Sequence, residues 1–187
     1  VTEIITEKAL DFLKTRDPNR PFLLMCQHKA PHREWAPGPA QLRSVPEKFP
    51  EPSTLFDDYA GRGKAERSQA MMIGKDITPH DMKFDPPGGM TPDQRKVWDA
   101  YYGPRNEAFK NAKLTGRDLV RWKYQRYMHD YMACIPGVDE SVGKVLDYLK
   151  QNGLDRNTPV RCPSDPGFHM GPRGRFAGGA AGERMPV

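Results

Sequence analysis

The sequence predicts an α/β fold with long Pro/Gly-rich loops. Three observations predict it. Helical periodicity runs through residues 3–15 and again through 115–152. Two short segments, 21–27 and 158–161, read as strands; the first is a buried-looking apolar run too short for a helix in a compact domain. Helix, turn and strand also follow one another in the order that builds an α/β layer. The 187 residues suggest one domain with room for a real core, although only 37% are hydrophobic.

In residues 3–15, Ile5, Ala9, Phe12 and Leu13 fall on one face, and Thr2 fits as N-cap. Asp17-Pro18-Asn19 is a turn, and the apolar run of 21–27 follows. Residues 30–61 carry Pro31, Pro37, Pro39, Pro46, Pro50 and Pro52, a long loop of the kind that is often functional. A helix is expected over 63–76, then loop over 78–90, closed by Pro86-Pro87-Gly88-Gly89. Thr91-Pro92 opens another helix, with Thr as N-cap and Pro in the first turn.

In 115–152, Thr115 and Asp118 fit a capping box. Val120, Tyr124, Tyr127, Tyr131 and Cys134 share a face that reads as core packing. Pro136-Gly137 should kink or split this helix, and Gly153 should cap its C-terminus.

Net charge is +5, from 29 basic and 24 acidic residues that are interspersed along the chain. No basic block marks a nucleic-acid tail, and a localised cationic cluster suits an anionic small molecule. No apolar run approaches a membrane span. The chain opens at Val1, so the lack of a visible signal peptide leaves the compartment open. Cys26, Cys134 and Cys162 have no metal-binding spacing and read as unpaired.

Two constellations could carry chemistry. Segment 21–27 runs into His28, Lys29 and His32. A lysine and a histidine just past a strand end can hold an anion and protonate a leaving oxygen; alternatively, the turn is a surface turn with solvated cations. Segment 158–161 runs into Ser164-Asp165-Pro166-Gly167, where Asp165 can ligate a hard cation or simply favour a turn. Asp57-Asp58 reads as a solvated turn or helix start, and Cys162-Pro163-Ser164 as an ordinary turn.

Four stretches in this order, "RPFLLMCQHKAPHREWAPGP", "PSTLFDDYAGRG", the long segment 114–160 and "SDPGFHMG", resemble the bacterial sulfatases of the alkaline-phosphatase-like superfamily. The similarity runs from about residue 3 to 176, leaving 177–187 as a divergent tail of a partial catalytic domain. The resemblance implies a partial alkaline-phosphatase-like α/β sandwich, with mixed sheet strands flanked by helices around a large central sheet. It implies sulfate-ester hydrolysis by a hydrated formylglycine, with calcium as cofactor and a sulfated small molecule or glycan as substrate. A periplasmic or secreted location goes with it. His32 matches the substrate-binding and leaving-group histidine, Lys29 is a neighbouring sulfate-side cation, and Asp165 matches a metal carboxylate.

The departures are specific. The paired N-terminal aspartates and the C/S-x-P-x-R nucleophile motif are absent from this chain. Pro166 replaces an amide-bearing Gln or Asn, Arg173 replaces a histidine, and "AGGAAG" replaces the lysine expected after Phe176. The chain alone is therefore expected to lack sulfatase turnover and to bind calcium far more weakly than a complete site. A sulfated-ligand-binding pseudoenzyme and a phosphoryl hydrolase or transferase of the same superfamily are the alternatives.

Overall fold

A computed structural model describes residues 1–68, 70–162 and 170–176. Among the described residues there are five α-helices: α1 (Thr2–Thr15), α2 (Lys64–Arg67), α3 (Ile73–Asp76), α4 (Pro92–Ala112) and α5 (Gly116–Gln151). Short 3-10 turns occupy Gln41–Arg43, Asp155–Asn157 and Pro172–Gly174. The chain divides into two compact units. The first holds Val1–Pro46 with Asp130–Cys162, and the second holds Glu47–His129 with the described residues after 169.

The local signals placed the long helices. α1 begins one residue early, with Val1 rather than Thr2 at the N-cap, and buries Thr6, Ala9 and Leu13. α4 opens on the expected Thr91, whose hydroxyl accepts from the Gln94 N–H while the Gln94 side chain accepts from the Thr91 N–H. α5 ends in a Schellman closure at Gly153, which sits at φ +67°. There the Gly153 N–H bonds the Lys150 carbonyl and the Leu154 N–H the Leu149 carbonyl.

One helix expectation needs correction and another is narrowed. Of the kink or split expected at Pro136-Gly137, the split does not occur, and α5 continues through it. Proline forfeits one backbone bond and crowds the preceding turn, at roughly 3 kcal/mol. Packing on both sides offsets this, since Ala133, Cys134 and Ser141 are buried. The single helix expected over 63–76 is instead two four-residue helices, α2 and α3. Met71 lies between them at φ +71°, a left-handed residue that cannot continue a right-handed helix.

The strand expectations are not met among the described residues, where the one β-pairing is an isolated antiparallel bridge between Met72 and Arg175. Segments 21–27 and 158–161 have no regular structure. A strand needs a neighbour to receive its N–H and C=O groups, and these segments have none among the described residues. The first nevertheless keeps the side-chain period of a strand. Phe22, Leu24, Cys26 and His28 are half-covered, while Pro21, Leu23, Met25 and Gln27 are exposed. It is thus covered on one face only, with Leu23 83% and Met25 68% exposed.

In the first unit, the buried apolar residues include Ala9, Leu13, Trp35, Leu42, Ala133, Cys134 and Leu149. The Tyr148 hydroxyl donates to the Leu13 carbonyl, and the Gln41 amide donates to Glu140. The second unit buries the aromatic stripe of α5, Tyr124 and Tyr127, as the periodicity predicts, along with Ile73, Tyr101, Tyr102 and Phe176. Two of its buried cations are bonded to backbone carbonyls. Lys123 donates to the Gly74 and Ile77 carbonyls, and Arg126 donates to the Met82 carbonyl and to Asn106.

Candidate functional site

The cationic turn lies in the first unit, directly after segment 21–28. The His32 N–H donates to the Lys29 carbonyl at 2.8 Å, closing a tight turn across Ala30 and Pro31. Lys29 and His32 are both exposed. Among the described residues the Lys29 ammonium makes no ion pair. His32 Nδ1 lies 2.5 Å from the Arg33 carbonyl oxygen. A carbonyl only accepts, so Nδ1 carries the proton in this contact.

His28, grouped by the sequence with Lys29 and His32, is separated from them. Its ring turns inward, where Nε2 lies 2.9 Å from Ser141 Oγ and 3.7 Å from Cys26 Sγ. Burial pushes the His28 imidazole below its usual range and the Cys26 thiol above its own. Beside His28 opens a groove of about 750 Å³, walled by Leu13, Phe22, Leu24, Val145 and Leu149. The parity of an extended segment could have revealed this split, since residues 28 and 29 must point to opposite faces.

Asp165 lies outside the described residues, as do Pro166 and Ser164. Among the described residues no group of three or more His, Cys, Asp or Glu side chains could hold a metal ion. The described part of the chain does not by itself fit a calcium site. No disulfide joins the three cysteines: Cys134 is buried, Cys26 half-buried and Cys162 exposed.

The second unit holds a network that the sequence did not reveal. The Tyr59 hydroxyl donates to the Arg173 carbonyl and accepts from Arg175 Nε. Arg173 Nη1 pairs with Glu66 at 2.6 Å, and Glu66 also pairs with Arg62 at 3.0 Å. Arg62 in turn pairs with Asp57. Asp57 and Asp58 are turn residues, as expected, each accepting from the N–H two positions on. Arg173, where the resemblance expects histidine, is thus held by a carboxylate.

The family model described as Sulfatase matches residues 1–186. An N-acetylglucosamine-6-O-sulfatase of Bacteroides thetaiotaomicron is 41% identical over 192 residues, an alignment covering 94% of this chain and 34% of that protein. A sulfatase of Formosa agariphila is 36% identical over 55 residues, covering 29% of this chain and 11% of that protein. Among solved structures, a protein in complex with its substrate D-glucosamine-2-N,6-O-disulfate superposes with a TM-score of 0.85 at 41% identity. That match covers 94% of this chain and 39% of that one. The chain thus spans about a third of the length of that N-acetylglucosamine-6-O-sulfatase. With the Sulfatase model matching residues 1–186 and 41% identity to a sulfatase over 94% of the chain, this chain belongs to the sulfatase family.

Proposed function

We propose that this chain carries part of the sulfate-binding apparatus of a sulfuric ester hydrolase acting on a 6-O-sulfated glucosamine. One observation carries the reading: 41% identity over nearly the whole chain to an N-acetylglucosamine-6-O-sulfatase. The geometry of the Lys29–His32 turn supports it. Lys29 supplies a fixed positive charge to the sulfate oxygens. His32, with Nδ1 committed to the Arg33 carbonyl, binds the sulfate and protonates the departing alcohol through Nε2.

Asp165 would give one carboxylate to calcium, which when bound neutralises charge on the sulfate. The remaining ligands and the formylglycine nucleophile would come from outside this chain, which contains no C/S-x-P-x-R motif. The 187-residue chain alone is therefore without turnover. In the complete protein, 21–27 and 158–161 would pair as strands of a mixed sheet. The alternating exposure of 21–28 supports this, because its second face already carries apolar side chains at Leu23 and Met25. A periplasmic or secreted location fits the family.

The test is an NMR titration of the chain with N-acetylglucosamine 6-sulfate, inorganic sulfate and unsulfated N-acetylglucosamine. The sulfated ligands should shift Lys29 and His32 resonances, and Lys29→Ala should weaken the response several-fold. Equal response to the unsulfated sugar, or none to sulfate, would reject the assignment. Release of sulfate by the chain alone would reject its inactivity.

A further inference from the structure

We infer that His28 is a positioning residue, a tether that sets the direction in which Lys29 and His32 face. The inference rests on the reading of that turn as a sulfate site, and deepens it.

The tether is a chain of polar contacts within the first unit. His28 Nε2 lies 2.9 Å from Ser141 Oγ on α5. Ser141 Oγ lies 2.6 Å from Thr6 Oγ1 on α1, which is also 2.8 Å from the Thr2 carbonyl. Ser141 and Thr6 are 2% and 4% exposed. The end of the extended segment is therefore pinned to two helices at once. No other side-chain hydrogen bond joins residues 21–27 to those helices among the described residues.

The protonation state follows from the surroundings. His28 Nδ1 is buried and has no hydrogen-bond partner among the described residues. A buried lone pair left empty costs less than a buried N–H left without an acceptor, so the proton sits on Nε2 and is donated to Ser141. Burial keeps the ring neutral, which suits a single directed bond.

The consequence for the site is geometric. Successive side chains of an extended segment point to opposite faces, and a slip of one residue exchanges the faces. In the 187-residue chain, where 21–27 has no ladder among the described residues to fix its register, the His28–Ser141 bond does so. If His28 is held inward, Lys29 must point outward, and the Lys29–His32 turn starts from a fixed backbone.

The experiment compares His28→Ala, His28→Gln and Ser141→Ala in the 187-residue chain, reading sulfate affinity by NMR and backbone order of residues 29–32 by ¹⁵N relaxation. Circular dichroism confirms that each variant folds. His28→Ala should weaken sulfate binding about five- to ten-fold, the range of a lost coupling of 1–1.4 kcal/mol, and lower the order of the turn. Gln, whose amide can still donate to Ser141, should restore both to within about twofold. Ser141→Ala should act like His28→Ala, with little added effect in the double variant. Unchanged order in His28→Ala, or no rescue by Gln, overturns the inference. If the turn's order depends on His28 while sulfate shifts nothing even in the unsubstituted chain, the tether stands and the sulfate reading falls.

Discussion

Tyr59 and Arg173 lie 114 residues apart and are joined by a hydrogen bond of 2.6 Å from the phenol to the backbone carbonyl. The same hydroxyl accepts from Arg175 Nε at 2.9 Å, and the Arg175 guanidinium also lies over the Tyr59 ring. Thr54 Oγ1 accepts from the Arg173 N–H, and the Phe176 N–H bonds the Met71 carbonyl. These bonds fasten 170–176 to the loop of 54–72. Tyr59→Phe keeps the ring but removes the hydroxyl from beside a guanidinium only 2% exposed. The expected cost is about 1–3 kcal/mol, from a buried donor left without that acceptor. Urea unfolding should show it as a lower midpoint with an unchanged slope.

The fold was legible where its cause is local. Periodicity, the Thr91–Gln94 box and Gly153 all act within a few residues, and α1, α4 and α5 stand where these signals put them. Strand formation is not local: an apolar run such as Phe22 to Met25 becomes a strand only if another segment pairs with it. Met71 interrupted the expected helix over 63–76 through a backbone angle that its residue type does not announce. In the candidate site, Lys29 and His32 were legible because they follow an apolar run. The inward turn of His28 depends on Ser141, 113 residues away, and the Tyr59 network on a similar separation.

Thr91→Ala tests the start of α4. The hydroxyl accepts from the Gln94 N–H at 3.3 Å, and the Gln94 side chain answers at 2.9 Å. Losing this N-cap should cost about 1 kcal/mol, and Thr91→Asp should restore most of it. Thermal unfolding of the three chains gives the order directly.

Gly153→Ala separates backbone strain from crowding. Beyond its own chain neighbours, no atom of the described residues lies within 4 Å of where its Cβ would sit, so no packed neighbour has to move aside. The residue is nonetheless at φ +67°, where an L side chain meets its own carbonyl. The expected loss is about 1–2 kcal/mol, with α5 fraying from its C-terminus. Faster amide exchange at Leu154, whose N–H closes the Schellman motif, should accompany it.

The pH dependence of the first unit should carry the mark of His28. Burial lowers its pKa below the ordinary 6.5. Below that value the unfolded chain binds a proton that the folded chain resists, so the unfolded state holds more protons. Stability must therefore fall as pH drops from 6.5 toward the lower folded value, and level off beneath it. Around the ring, Ser141 and Thr6 are neutral, the Cys26 thiol stays protonated because burial raises its pKa, and Lys29 points to solvent. With no carboxylate bonded to the imidazole, protonation gains no partner. His28→Gln should flatten this part of the profile while keeping the Ser141 bond. Urea midpoints measured between pH 4.5 and 8 would show it; identical slopes with and without His28 would place the titrating group elsewhere.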